Sequence, residues 1–250
     1  MDRTPGPLAR ARLRWGIPDA LIAWLAGLLV VVVFTGIATA LSPSLTDQVA
    51  DNDVPTWYLI GAILTQNAGI VLALVWISDR KGQGSLRRDF GLIWPFDRLS
   101  FGAVAAWLAI GAGLSMVAAL LLRPIADLAN LDESAQQVSK SVEEAGGVGL
   151  ALLMVGIVVI APVVEELLFR GALLRALQRR FTVPVAIFVS AAVFAAVHVV
   201  GDPGSYYVVP GLLLLGLLSG WQAARTGDLG RSVLLHMGFN LLSAISLAVK

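Results

Sequence analysis

The chain has 250 residues, of which 57% are hydrophobic and 14% are charged, and its mean hydropathy is +0.80. Soluble domains are usually about 45–50% apolar and about 25% charged, so this composition excludes an ordinary soluble enzyme and predicts a polytopic membrane protein. The absence of cysteine excludes disulfides, thiolate metal sites and cysteine nucleophiles. The formal net charge of +1 favours no class of partner. We expect the chain to lie in a lipid bilayer and to bind no nucleic acid.

Seven apolar stretches are long enough to cross the hydrocarbon layer, which takes about 17–25 helical residues. They lie at about residues 20–41, 57–77, 100–122, 148–169, 182–200, 208–224 and 232–249. We therefore predict an all-α fold. A single integral membrane domain over residues 1–250 would form a transmembrane helical bundle of about seven spans.

The first apolar stretch has features of a secretory signal peptide. Basic residues from Arg3 to Arg14 precede it, and the sequence ATA at 38–40 resembles a cleavage site after Ala40. The apolar run that begins at Ala20 is, however, longer than the roughly 7–15 residues of a signal-peptide core. We therefore expect this segment to be retained as the first helix.

The basic residues are unevenly distributed between alternate connecting segments. If the N-terminus is inside, only three of the 18 Lys and Arg residues fall outside, namely Arg123, Lys140 and Lys250. Cytoplasmic segments carry the excess of Lys and Arg in membrane proteins. The distribution therefore predicts a cytoplasmic N-terminus in the cell membrane.

Polar side chains within the spans are the candidates for function, because a charge at the bilayer centre costs about 2.5–3.5 kcal/mol on insertion scales. The second half of the chain holds most of them: Glu165, Glu166, Arg170, His198, His236 and Asn240. The first half offers only the uncharged pair Gln66 and Asn67, which we expect to form hydrogen bonds between helices. The candidate site is therefore predicted on residues 148–249.

The two adjacent glutamates of the sequence EELLFR must have different roles, since neighbours on a helix point about 100° apart. Glu166 and Arg170 are four residues apart with the glutamate first, which favours an ion pair. This pair is expected to support the site. Glu165 has no such partner on its own helix, so it must interact with another helix or stay protonated.

His198 is the natural partner of Glu165. The helical hairpin turns near Phe181 and Thr182, and the two residues lie 17 before and 16 after Thr182. In an antiparallel pair of helices they therefore lie at nearly the same height. Phe194 is four residues before His198 and covers the same helix face. A glutamate and a histidine placed in this way could hold and deprotonate a water molecule.

His236 and Asn240 are also four residues apart, in the sequence HMGFN, and share a helix face. Both can donate hydrogen bonds toward one point, as the oxyanion of acyl transfer requires. The combined pattern predicts hydrolysis of a peptide bond inside a membrane cavity. Taken singly, each residue also fits a structural role as a hydrogen bond between helices.

Two non-enzymatic interpretations stay open. A membrane scaffold or sequestering protein could use the same polar pocket to bind a partner helix. A transporter or channel would need polar residues along a path through both leaflets or paired inverted repeats. The charged residues here cluster in one half of the chain and no repeat is visible, so transport is the weakest interpretation.

The three short sequences EELLFR (165–170), FAAVH (194–198) and HMGFN (236–240) resemble, in order and spacing, the motifs of a known family. They match the EExxxR, FxxxH and HxxxN/B motifs of the CAAX protease and bacteriocin-processing (CPBP, or Abi) family of intramembrane proteases. No motif position departs from that pattern.

The resemblance implies an α-helical membrane bundle with a catalytic chamber in the bilayer. Glu165 would be the base and His198 would help to position the water, while His236 and Asn240 would form the oxyanion hole. Members of the family are often described as metalloproteases, and Glu165, His198 and His236 form a plausible zinc set. We favour a metal-free reaction without cofactor. The substrate would be a membrane-associated or membrane-proximal polypeptide, and the compact chain suggests a prokaryotic member.

Overall fold

The computed structural model describes residues 14–50, 53–128, 146–200, 206 and 208–248. Within these residues the chain is helical and contains no β-strand. The basic residues Arg3, Arg10 and Arg12, together with Lys140 and Lys250, lie outside the described residues.

Nine helices make up the described part of the chain. In chain order they are α1 (Ile17–Leu41), α2 (Ser44–Ala50), α3 (Thr56–Lys81), α4 (Leu86–Phe90), α5 (Phe101–Leu128), α6 (Gly147–Leu177), α7 (Val183–Val199), α8 (Val209–Thr226) and α9 (Gly230–Ala248). A short 3₁₀ helix, Pro95–Asp97, precedes α5. Helix α6 contains two π-helical segments, Gly156–Ile160 and Leu167–Leu173, which widen its turns on either side of the glutamates.

The predicted transmembrane helical bundle is confirmed, and each of the seven predicted spans coincides with a helix. By length and composition, α1, α3, α6 and the segment Phe101–Leu122 of α5 can cross a membrane. Helix α7 is a shorter apolar helix. That all seven helices cross the bilayer stays a prediction.

Small residues let the helices approach closely, as is usual in membrane bundles. A Cβ atom added to Gly111 of α5 would lie 1.9 Å from the carbonyl oxygen of Leu235, and one added to Gly238 of α9 would lie 2.0 Å from that of Leu108. The backbones of α5 and α9 therefore touch at two glycines. This contact fixes the height and rotation of α9, the helix that carries His236 and Asn240.

Polar contacts join the ends of several helices at one end of the bundle. Lys81 at the end of α3 forms a 2.5 Å ion pair with Asp19 at the start of α1. Arg175 near the end of α6 donates hydrogen bonds to the carbonyl oxygens of Asp89 (3.2 Å) and Gly227 (2.7 Å). The described basic segments thus gather at the same end, as the charge distribution predicts. That this end faces the cytoplasm, and that the segment before Ala40 is retained, stay predictions.

Candidate active site

The glutamates lie on α6 directly after a proline that disturbs the helix. Pro162 has no N–H to donate to the carbonyl of Val158 and its ring clashes with that group, so the helix must open there. The π-helical segment Gly156–Ile160 ends two residues before Pro162. Wider π turns shift the hydrogen-bond register and are common at functional sites. Glu165 and Glu166 follow within the regular stretch Ala161–Glu166.

A neighbouring helix binds one carbonyl oxygen in each π-helical segment. The Asn240 side chain of α9 donates a 2.9 Å hydrogen bond from Nδ2 to the oxygen of Ile157, in the first segment. The Ser190 hydroxyl of α7 donates a 2.9 Å hydrogen bond to the oxygen of Phe169, in the second. The two widened turns are therefore stabilised from outside α6, and Asn240 and Ser190 help to fix α9 and α7 against it.

Glu166 and Arg170 form the ion pair that their spacing predicts. Arg170 Nη1 lies 3.2 Å from Glu166 Oε1, and neither side chain is exposed. The pair lacks hydrogen-bond geometry, since none of the guanidinium nitrogens has a hydrogen-bond partner among the described residues. The Arg170 Cζ atom instead lies 4.3 Å from the centre of the Phe194 ring, which supplies a cation–π contact.

Phe194 is fully buried and lies at the centre of the site. Its ring centroid is 4.5 Å from that of His198 and 5.5 Å from that of His236. The ring also meets Phe169 edge to face at 5.3 Å. One ring therefore contacts both imidazoles and the guanidinium of Arg170, and these contacts are how Phe194 could support the site.

The structure brings Glu165, His198 and His236 together. Glu165 Oε2 lies 3.6 Å from Nε2 of His198 and 3.6 Å from Nε2 of His236. The contact between Glu165 and His198 is the one that the hairpin register predicts. Helix α6 continues past the glutamates to Leu177, and the turn to α7 follows near Phe181. The exposed fractions of the side chains are 23% for Glu165, 30% for His198 and 2% for His236, so the carboxylate and one imidazole are accessible.

The opposite ring nitrogen of each histidine is already held. His198 Nδ1 lies 2.7 Å from the carbonyl oxygen of Phe194, and His236 Nδ1 lies 3.0 Å from Glu166 Oε1. A carbonyl oxygen only accepts hydrogen bonds, so His198 Nδ1 must carry the proton. The contact between His236 and Glu166 is not foreseen from the helical spacings, because it joins residues 70 positions apart on α6 and α9.

A cavity of about 240 Å³ adjoins Glu165 and His198. Helices α6 and α7 provide part of its wall, and the rest comes from α1 and α3 in the first half of the chain. The first-half residues that line it are Trp24, Ile63, Gln66, Asn67 and Ile70. The candidate site is therefore wider than the segment 148–249 predicted from the sequence.

The expectation that Gln66 and Asn67 bond between helices is wrong. Asn67 Nδ2 donates a 2.7 Å hydrogen bond to the carbonyl oxygen of Ile63 on its own helix. Gln66 has no side-chain hydrogen-bond partner among the described residues, and both side chains line the cavity. The sequence shows that the two residues are polar, but the packing of α3 against α6 decides where they point.

Zinc would need ligands at about 2.0–2.2 Å arranged around one point. The described residues contain no group of three or more His, Cys, Asp or Glu side chains that could hold a metal ion in this arrangement. Phe194 and Glu166 hold Nδ1 of the two histidines, and Nε2 of each ring stays available, which is also the arrangement of histidines that bind zinc through one nitrogen.

Comparison with known proteins bears on the second half of the chain. The model of the family described as "Type II CAAX prenyl endopeptidase Rce1-like" matches residues 147–242. No curated protein and no solved structure matches the chain. The matched segment contains all three motifs, from Glu165 to Asn240, and confirms the resemblance found in the sequence. The chain is therefore similar, over residues 147–242, to the Rce1-like type II CAAX prenyl endopeptidases.

Proposed function

We propose that this protein is an intramembrane endopeptidase in which Glu165 activates the water that attacks the scissile peptide bond. One observation carries the proposal. The Glu165 carboxylate lies 3.6 Å from the Nε2 atoms of both His198 and His236, beside a cavity of about 240 Å³.

The gap between Glu165 and His198 suits a water molecule. A distance of 3.6 Å is longer than a direct hydrogen bond, for which about 2.7–3.2 Å is usual. Because Nδ1 of His198 donates to Phe194, Nε2 of the neutral ring is an acceptor, and so is the carboxylate. A water to one side of these two atoms donates one hydrogen bond to each. Its oxygen lone pairs are then free to face the substrate carbonyl.

In the reaction the water oxygen forms a bond to the carbonyl carbon while Glu165 takes one of its protons. The tetrahedral intermediate then loses the amine when the C–N bond breaks, and Glu165 returns the proton to the leaving nitrogen. No oxidant, reductant or cofactor is needed for this balance. We propose a metal-free reaction on this basis.

His236 and Asn240 are proposed to stabilise the oxyanion. Nδ1 of His236 is bound to Glu166, so the ring donates from Nε2 only as an imidazolium. Its Nε2 lies 3.6 Å from Glu165 Oε2, on the side of the ring next to the proposed water. Asn240 uses one N–H on Ile157, and its amide nitrogen carries a second. Removing one such donor typically costs about 2.7–4 kcal/mol in the barrier.

The proposed setting is the cell membrane with the N-terminus in the cytoplasm. The clustering of the described basic segments at one end of the bundle supports this orientation. The proposed substrate is a membrane-associated or membrane-proximal polypeptide.

The test compares protein termini in cells. Cells that lack the protein are complemented with wild type, with Glu165→Gln, or with Asp97→Asn, which makes the same change at an exposed carboxylate outside the site. All three are brought to equal membrane levels, and newly generated peptide ends are mapped by mass spectrometry. Ends found with wild type and Asp97→Asn but not with Glu165→Gln support the peptidase. Identical ends in all three, with the phenotype still rescued by Glu165→Gln, would favour the scaffold instead.

A further inference from the structure

Helices outside the matched domain complete the cavity next to the proposed base. Trp24 of α1 and Gln66 of α3 line the same cavity as Glu165 and His198. Neither helix belongs to the segment 147–242 that the family model matches. The proposed base lies in the second half of the chain, and the first half provides part of the cavity wall beside it.

Gln66 is unusual in its surroundings. It lies in the middle of α3, a helix that is long and apolar enough to cross a membrane. A carboxamide in such a place normally finds a hydrogen-bond partner, because an unsatisfied amide in hydrocarbon is strongly unfavourable. The next residue does so, since Asn67 bonds to Ile63. The half-buried Gln66 side chain has no such partner among the described residues.

Apart from Asn67, the part of the wall that α1 and α3 provide around Gln66 is apolar. Ile63 and Ile70 lie on the same face of α3, one turn to either side of Gln66, and Trp24 of α1 lines the cavity with them. A volume of about 240 Å³ is smaller than the roughly 300–1,000 Å³ of sites for drug-sized ligands. The space suits one large apolar side chain and its peptide group. A charged side chain would lose its hydration there without gaining a partner of opposite charge on this wall.

We propose that Trp24, Ile63, Gln66 and Ile70 form a substrate subsite for an extended polypeptide. An apolar side chain next to the scissile bond fills the cavity, and the Gln66 carboxamide pairs with the peptide N–H and C=O of that residue. A primary amide offers both a donor and an acceptor, which an extended peptide backbone can use together. This subsite rests on the proposed peptidase function, and it assigns selection of the substrate to α1 and α3.

Photocrosslinking tests the subsite without requiring cleavage. Benzoylphenylalanine replaces Trp24 in the full chain carrying Glu165→Gln, in nanodiscs, and a proteome-derived peptide library is the probe. The matched control places the same group at Leu25, which is 47% exposed on the adjacent face of α1. Peptides captured from position 24 should be enriched in large apolar residues, and position 25 should capture few. Equal capture at both positions, or no apolar enrichment, would overturn the subsite.

Gln66 is then tested in the same system. Gln66→Leu keeps the size of the side chain and removes its donor and acceptor, so capture at position 24 should fall roughly fivefold. Thr65→Val is the matched control, because Thr65 bonds to Gly61 on its own helix and does not line the cavity. Undiminished capture with Gln66→Leu contradicts its role. Cleavage of the library by protein with an intact Glu165 is measured separately. Capture without cleavage would refute the peptidase and leave the subsite standing. Cleavage without capture would support the peptidase and refute the subsite.

Discussion

His236 Nδ1 lies 3.0 Å from Glu166 Oε1, although the two residues are 70 positions apart. Nε2 on the other side of the ring faces Glu165 at 3.6 Å. The two adjacent glutamates therefore contact opposite nitrogens of one imidazole. Glu165 is partly accessible beside the cavity, whereas Glu166 is fully buried against Arg170. This division supports the proposal that Glu165 acts in the reaction and that Glu166 positions His236.

Glu165→Gln and Glu166→Gln should consequently fail in different ways. Glu165→Gln removes the base and should lower kcat about 10²–10⁴-fold while leaving the melting temperature of the purified protein nearly unchanged. Glu166→Gln leaves Arg170 as a buried charge without its partner, which typically costs about 3–5 kcal/mol. It should therefore lower the melting temperature markedly. Thermal unfolding in detergent and the rate of peptide cleavage measure the two effects.

A double variant controls the interpretation of Glu166. Replacing Glu166 by Gln and Arg170 by Met removes both members of the pair, so no buried charge is left alone. The melting temperature should recover toward wild type, while cleavage should stay low because His236 has lost its anionic partner. A double variant no more stable than Glu166→Gln alone would show that the ion pair is not the source of the instability.

Phe194 should affect stability and catalysis together. Phe194→Leu keeps an apolar side chain but removes the ring that meets His198, His236 and Arg170. Aromatic pairs contribute about 0.5–1.5 kcal/mol and a desolvated cation–π contact about 2 kcal/mol, so a loss of about 2 kcal/mol in unfolding free energy is expected. Cleavage should fall roughly tenfold because both imidazoles lose a fixed neighbour. The control is Phe188→Leu, on the same helix but 56% exposed, which should change neither quantity.

Much of the site follows from helical spacing in the sequence. The four-residue interval places Glu166 beside Arg170, and the hairpin register places Glu165 level with His198; the structure confirms both contacts. These predictions succeed because they depend on one helix or on one short turn. The helix length and the turn position are fixed by local sequence, so few alternatives arise.

The remaining features depend on packing between distant helices. The contact of His236 with Glu166 needs the rotation of α9, which the glycine contacts with α5 set. The direction of Gln66 depends on how α3 lies against α6. Of these features, the sequence indicates only the first π-helical segment, because Pro162 within an apolar helix is expected to open the turn before it. Hydropathy alone reports none of these relationships, because it does not specify which face meets which helix.

A chelator tests the metal-free reaction. The described residues contain no group of three or more suitable side chains that could hold a metal ion. Cleavage by purified protein should therefore be unchanged after treatment with 1,10-phenanthroline and dialysis. A different result would contradict the metal-free reaction: cleavage is lost, added zinc restores it, and about one zinc is bound per chain. The attacking water would then be bound to zinc and not activated by Glu165 alone.

The glycine contacts between α5 and α9 give the sharpest test of the fold. In Gly238→Ala the new methyl group would lie 2.0 Å from the carbonyl oxygen of Leu108, so α9 must move away from α5. Overpacking of this kind typically costs about 1–3 kcal/mol, and His236 moves with the helix. Both the melting temperature and the cleavage rate should fall. Gly113→Ala on α5 is the matched control, because no atom lies within 4 Å of its added Cβ, and the higher helix propensity of alanine should leave stability unchanged or slightly raised. Equal effects of the two substitutions on unfolding would mean that α5 and α9 do not pack through Gly238.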